Sequence, residues 1–187
     1  MPLDNHLTNH FLIAMPGLAD PNFFHTVTYI CEHSEQGAMG LVINRPMGLQ
    51  LADIFEQLDI KIDDPNISQT PVYLGGPVQG DRGFVLHDSE REWDSTLKVT
   101  EDISVTTSMD ILQAIAAGEG PAHSLVTLGY AGWGAGQLEE EMAQNTWLSG
   151  PAKSEIIFNR PSDQRWQAAA DLLGVDLNLL SSEAGHA

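Results

Sequence analysis

Cys31, Glu32 and His33 place a thiol, a carboxylate and an imidazole in one run. Such a set could form an activated nucleophile or part of a zinc site. On an extended backbone residues 31 and 33 share a face, and so do Val27 and Tyr29. That company predicts a core thiol rather than a reactive one, because buried cysteine packs as a small hydrophobe. His33, at the strand end, is expected to be polar and exposed. No CxxC, no HExxH and no second cysteine completes a tetrahedral site, so no metal and no cofactor is expected.

Gly129-Tyr130-Ala131-Gly132-Trp133-Gly134-Ala135-Gly136 reads as a glycine-rich turn between a strand and a helix. That arrangement can cradle a phosphate. Here Glu139-Glu140-Glu141 opens the helix, and those carboxylates suit its dipole while repelling an anion. The glycines then serve tight turning and let Trp133 lie flat against a neighbour. Asp81-Arg82-Gly83-Phe84 carries one of only eight Lys and Arg residues, and Arg82 is expected to hold a carboxylate of the 139–141 cluster. His87 could act as a general base with Glu139 or Glu141 orienting it. No GxSxG elbow supports a hydrolase serine, and no residue is assigned as catalytic. Asn44-Arg45-Pro46 reads as a strand end and turn, and Asn145 as the stop of a helix.

The elements that must position these groups alternate along the chain. Strands are expected at Phe11–Met15, His25–His33, Met39–Asn44, Val72–Leu74, Gly83–His87, Leu97–Val105 (interrupted), Ser124–Tyr130, Trp147–Leu148 and Glu155–Phe158. Leu51, Ile54, Phe55 and Leu58 fall on one stripe of an amphipathic helix. A second helix follows a Thr107/Asp110 capping box and stops at Gly118. A third spans Gln137–Gln144. The last begins at Ser162, buries Trp166, Ala169, Ala170 and Leu173, and ends at Gly174. The fold class expected is an α/β (α+β) sandwich with a mixed, largely antiparallel sheet and flanking helices, one domain over residues 1–187.

Charge narrows the partners. Against 26 Asp and Glu stand 8 Lys and Arg, for a net charge of −18. No Lys or Arg precedes Arg45, and none lies between Lys98 and Lys153. Phosphate neutralisation needs such cations, so direct contact with nucleic acid or an anionic membrane is disfavoured. One cysteine excludes an intrachain disulfide, and the apolar run Phe11–Met15 is too short for a signal-peptide core or a membrane span. A cytoplasmic location is expected.

Several ordered blocks resemble the AlgH/YqgE family. They are Phe11-Leu12-Ile13-Ala14-Met15-Pro16, Tyr29-Ile30-Cys31-Glu32-His33, Gly37-Ala38-Met39-Gly40 and Ile43-Asn44-Arg45-Pro46. Gly75-Gly76-Pro77, Asp81-Arg82-Gly83-Phe84 with Leu86-His87, and Leu128-Gly129-Tyr130-Ala131-Gly132-Trp133 follow. Gly136-Gln137-Leu138-Glu139, Asn145-Thr146-Trp147-Leu148 and Ala184-Gly185-His186-Ala187 complete the match. The resemblance implies a bacterial, cytosolic α/β sandwich with a shallow, partly apolar cleft, and it brings no catalytic residue with it. Some members carry the label of transcriptional regulator, which the charge of this chain argues against reading as DNA contact.

The sequence is therefore read as a non-enzymatic regulatory or interaction protein that binds a protein or small molecule at a shallow cleft. Its expected lining is His33, Asn44, Gly75, Gly76, Pro77, His87, Tyr130, Trp133 and Trp147. The alternative is a hydrolase-like enzyme using His33 or His87 with a glutamate, and the third reading is a DNA-binding regulator.

Overall fold

The computed structural model describes residues 6–62 and 64–177, so the terminal block 184–187 lies outside the described residues. Ten strands run in chain order: β1 (His10–Ala14), β2 (Val27–Ser34), β3 (Gly37–Val42), β4 (Pro46–Gln50), β5 (Pro71–Leu74), β6 (Val78–His87), β7 (Thr96–Lys98), β8 (Ser104–Thr106), β9 (Ser124–Gly134) and β10 (Trp147–Pro151). The helices are α1 (Leu51–Gln57), α2 (Pro65–Ser68), α3 (Met109–Ala116), α4 (Gln137–Ala143), α5 (Ser154–Phe158) and α6 (Arg165–Leu172). The strands form one curled sheet in the order β10-β1-β2-β3-β9-β6-β8-β7, with β4 and β5 alongside. Every pairing is antiparallel except β5 with β9. The expected mixed, largely antiparallel α/β architecture is the one observed.

β9 organises the molecule. Its first half pairs with β6 and β5, its second half with β3. The glycine run expected as a turn is thus mostly strand, and the turn proper comes at Gly136, which is left-handed and precedes α4. Gly129, at φ +79, sits where the strand passes between its two sets of partners. β6 bulges opposite it, spending residues 78 to 83 against residues 130 to 128 of β9. A Cβ on Gly129 would come within 2.5 Å of the Gly76 carbonyl oxygen, so the close approach requires glycine.

Three apolar clusters follow from the layering. The largest joins the inner faces of β1, β2, β6, β8 and β9 to Ile156 and Ile157 of α5 and Ala168, Ala169 and Ala170 of α6. A second packs Leu138 of α4 against Leu12, Ile30, Trp133 and Trp147. A third packs Leu51 and Phe55 of α1 and Ile111 and Ile115 of α3 against Val72, Val85 and Val126. Fully burying a side chain of this size contributes about 1.5–3 kcal/mol, which outweighs the weak nucleation of such short helices.

Several local expectations are corrected. Glu155–Phe158 is helical, because Ile156 and Ile157 must both face the sheet from a segment lacking a strand neighbour. Leu97–Val105 is a hairpin, β7 turning into β8, with Thr100 Oγ1 accepting the Asp102 and Ile103 amides in the turn. The residue capping α3 is Ser108, whose hydroxyl contacts Asp110 at 2.6 Å. Ser162 begins a 3₁₀ turn, and α6 starts only at Arg165. Asn145 does follow the end of α4, in the left-handed region at φ 60. No helix among the described residues is long and apolar enough to cross a membrane.

Candidate functional site

The curled sheet forms an open cleft beside its main core. Met39, Phe84, Val105 and Tyr130 belong to the cluster that α5 and α6 also join, and the same four side chains line an open cleft of about 840 Å³. Its rim holds Glu32, Arg82, Asp94 and Leu97, and its walls include Thr96, Thr107 and Trp133. Tyr130 meets Phe84 edge to face with centroids 5.7 Å apart. The Arg82 guanidinium lies 5.4 Å from the centre of the Phe84 ring and bonds Gln79 Oε1 at 3.3 Å. The expected pairing of Arg82 with the 139–141 carboxylates is therefore corrected. The bulge before Gly83 turns Arg82 over its own strand, and no carboxylate among the described residues comes within ion-pair distance of it.

Strand alternation divides β6 and β8 between this cleft and a second one. Arg82, Phe84 and Val105 face the first, and Asp81, Gly83, Val85 and Thr106 face the second. On β9, Val126 and Leu128 face the second cleft, while Tyr130 and Gly132 face the first. Residues two apart would ordinarily share a face. The positive φ of Gly129 breaks the alternation between them.

Of the nine expected lining residues, Tyr130 and Trp133 line the cleft. Trp133 is fixed from behind. Glu141 Oε1 accepts the indole N–H of Trp133 and that of Trp147, both at 3.0 Å, and the two rings meet edge to face at 6.3 Å. Trp133 does not lie flat on a neighbour, since its approach to Phe23 is tilted by 33°. Trp147 is a buried support one ring removed from the cleft. Gly75 and Gly76 form the seam between β5 and β9, where a Cβ on Gly76 would stand 2.1 Å from the Tyr130 carbonyl carbon. Pro77 is exposed at the start of β6. Asn44 ties the β3–β4 corner to the segment before β2, accepting the Val27 amide at 2.9 Å and donating to the His25 carbonyl at 2.9 Å.

The histidines are placed differently from expectation. His33 is buried, 4% exposed, where an exposed side chain was expected. The cause is a bulge between Ile30 and Glu32. It inserts Cys31 as an extra residue and separates the faces, so Cys31 joins the main core while His33 turns toward α4. His33 Nδ1 accepts the Leu7 amide at 2.8 Å, which leaves the proton on Nε2, 3.3 Å from Glu139 Oε2. A histidine does stand beside Glu139, as the enzyme alternative needed, but its acceptor nitrogen is taken by backbone.

His87 is fully buried. Its Nδ1 lies 2.5 Å from the Asp88 carbonyl, which can only accept, so Nδ1 carries the proton. Nε2 then accepts from the Thr106 hydroxyl at 2.7 Å, and Thr106 from the Thr96 hydroxyl at 2.7 Å. Burial holds the His87 pKa below its usual value, against the opposing pull of Asp88. Neither imidazole lines either cleft. The Cys31 thiol is buried and its pKa is pushed upward by desolvation first and by Glu32 second, which favours the inert protonated form.

The His87 geometry has a consequence for stability. Its folded pKa lies below that of an unfolded histidine, so the unfolded chain takes up its proton first as pH falls. Unfolding free energy is expected to be flat above pH ~7 and to fall from about pH 6.5 downward as unfolded histidine titrates. Urea melts at pH 7.0 and 5.5 check this, and His87→Gln is expected to reduce the slope between them. An unchanged slope would contradict the assignment.

The lining residues that sequence reasoning missed include Met39, Phe84, Thr96, Leu97, Val105 and Thr107. The first two stood inside recognised motif blocks. Thr96, Leu97 and Val105 lie in the β7–β8 hairpin, which carried no motif, and Thr107, just after it, was read only as part of a helix cap.

A protein-family model described as DUF179, AlgH-like, matches residues 11–178. A UPF0301 protein of Thioalkalivibrio sulfidiphilus is 60% identical over the whole of both chains. Another, of Pseudomonas fluorescens, is 56% identical over 98% of this chain and 97% of its own. The solution structure of the AlgH protein from Pseudomonas aeruginosa superposes with a TM-score of 0.81 at 55% identity, covering 100% of this chain and 99% of that one. A crystal structure of protein DIP2367 from Corynebacterium diphtheriae shares the fold at 19% identity, TM-score 0.73, over 94% and 91% of the two chains.

Proposed function

The chain belongs to the AlgH-like family, and on that premise we propose that it is a non-enzymatic, cytoplasmic interaction protein whose cleft at Tyr130 receives a segment of a partner protein. The observation that carries the reading is the open cleft beside the main core, where half-buried Met39 and Tyr130 stand over buried Phe84 and Val105. Aromatic anchors on a rigid sheet suit a protein contact, since tyrosine and tryptophan dominate interface hot spots. Glu32 and Asp94 on the rim, in a chain of net charge −18, favour a partner segment with apolar side chains and at least one Lys or Arg. Arg82 is the one cation on the lining, and it accommodates an acidic group at that end.

The enzyme reading draws on the His33–Glu139 approach, yet Nδ1 is taken by the Leu7 amide, Nε2 reaches Glu139 at 3.3 Å without a hydrogen bond, and the ring lies outside both clefts. The DNA-binding reading has no cationic surface in its support. Tyr130→Ala is expected to weaken partner binding by about 2 kcal/mol, roughly thirtyfold in Kd. The same change should leave the far-UV spectrum intact. Partner affinity equal to that of the unaltered protein would remove the cleft from the account.

A further inference from the structure

On the other side of the β6–β8 wall lies the second, more enclosed cleft, of about 450 Å³. We propose that it is a binding site for a small amphipathic amine, with the apolar body held between α1 and α3 and the positive end at Asp81. The volume is within the range of small-molecule sites. Val85, Val126 and Leu128 contribute to its apolar lining from the sheet, and Ile54 and Leu112 from α1 and α3. Leu58, 36% exposed, and Met109, 46% exposed, border the same cavity. Single exposed apolar side chains need no explanation, but two on one cavity leave a hydrophobic opening that a ligand would cover.

Gly83 keeps the cavity open. A Cβ there would touch only Leu128 Cδ2, at 3.9 Å, so no close packing excludes a side chain. A larger residue at that position would fill the space.

Charge selects the ligand. Among the described residues Asp81 is the one ionisable group on the lining, and no Lys, Arg or His accompanies it. Its carboxylate has no hydrogen-bond or ion-pair partner among the described residues. The neighbouring Arg82 faces the other cleft, over Phe84. An anionic ligand would meet uncompensated repulsion here, whereas an ammonium gains a partner without displacing one. Among the described residues the site shares Thr107 alone with the cleft at Tyr130, so either assignment can fail alone.

The test uses phenylbutylamine and its acid counterpart phenylbutyrate as matched probes, read by methyl chemical shifts of the full chain. The amine is expected to give saturable shifts at Val85, Val126 and Leu128, and the acid to bind at least fivefold more weakly. Asp81→Asn should weaken the amine roughly threefold to fivefold, the effect of a partly exposed ion pair. Gly83→Leu should abolish binding by occupying the cavity. Met109→Trp, at an exposed position, blocks the opening should the core variant fold poorly. Non-saturating shifts, shifts centred on Tyr130 and Phe84, equal binding of the acid, or undiminished binding in the blocked variants would each overturn the proposal.

Discussion

Glu141→Ala is expected to cost about 2–4 kcal/mol of unfolding free energy, because one carboxylate oxygen satisfies two nearly buried indole N–H groups. Each donor left without a partner costs about 1–3 kcal/mol, and slight exposure of both rings lets water offset part of that sum. Glu141 Oε2 also accepts from Gln137 Nε2 at 3.0 Å, so the substitution loosens α4 as well. Glu141→Gln keeps an acceptor for both indoles and is expected to lose about 1 kcal/mol. Urea unfolding at pH 7 followed by tryptophan emission distinguishes them. Near-equal losses in the two variants would show that charge, rather than the shared acceptor, holds the ring pair. The consequence reaches function, since Trp133 is part of the cleft wall and Glu141 fixes its orientation.

A larger loss is expected from Gly76→Ala. The added carbon would stand 2.1 Å from the Tyr130 carbonyl carbon, 2.2 Å from its oxygen and 2.4 Å from the Ala131 nitrogen. All three are backbone atoms of the long strand that joins the two halves of the sheet, so no side chain can swing away. The expected loss exceeds about 4 kcal/mol, the range reached only when a buried arrangement is broken. Gly80→Ala, four residues on, meets no atom within 4 Å and should stay within about 0.5 kcal/mol of the parent. Soluble yield and thermal melts of the pair provide the measurement. A stable Gly76→Ala protein would mean that β5 and β9 do not approach as described.

These two residues also show what was legible beforehand. The glycine and tryptophan blocks were visible as motifs, and most strands and helices could be placed by hydrophobic period and turn residues. What the sequence did not display was the effect of irregular backbone. One extra residue at Cys31 turned His33 inward, and one left-handed glycine at 129 sent Tyr130 to the opposite side from Leu128. Alternation arguments assume a regular strand and fail at each such point. The β7–β8 hairpin was obscured for another reason. Its three-residue strands, of which β7 forms the edge of the sheet, are too short to establish a period. Its contribution to the cleft through Thr96, Leu97 and Val105 therefore passed unseen. Asn44, Gly75 and Gly76 stood out as motif residues because the backbone needs them, a structural demand that looks the same in sequence as a binding role.

The central claim is that the cleft at Tyr130 is where a partner docks. It is tested most directly by placing a photoreactive side chain at Leu97, on the cleft rim, and at Leu172, equally exposed but on α6. Irradiation in living cells should give a discrete protein adduct from position 97 and none from position 172. Tyr130→Ala should reduce that adduct at least tenfold, in line with the loss of a hot-spot aromatic. Adducts that are the same from both positions, or an adduct from position 97 indifferent to Tyr130→Ala, would contradict the account.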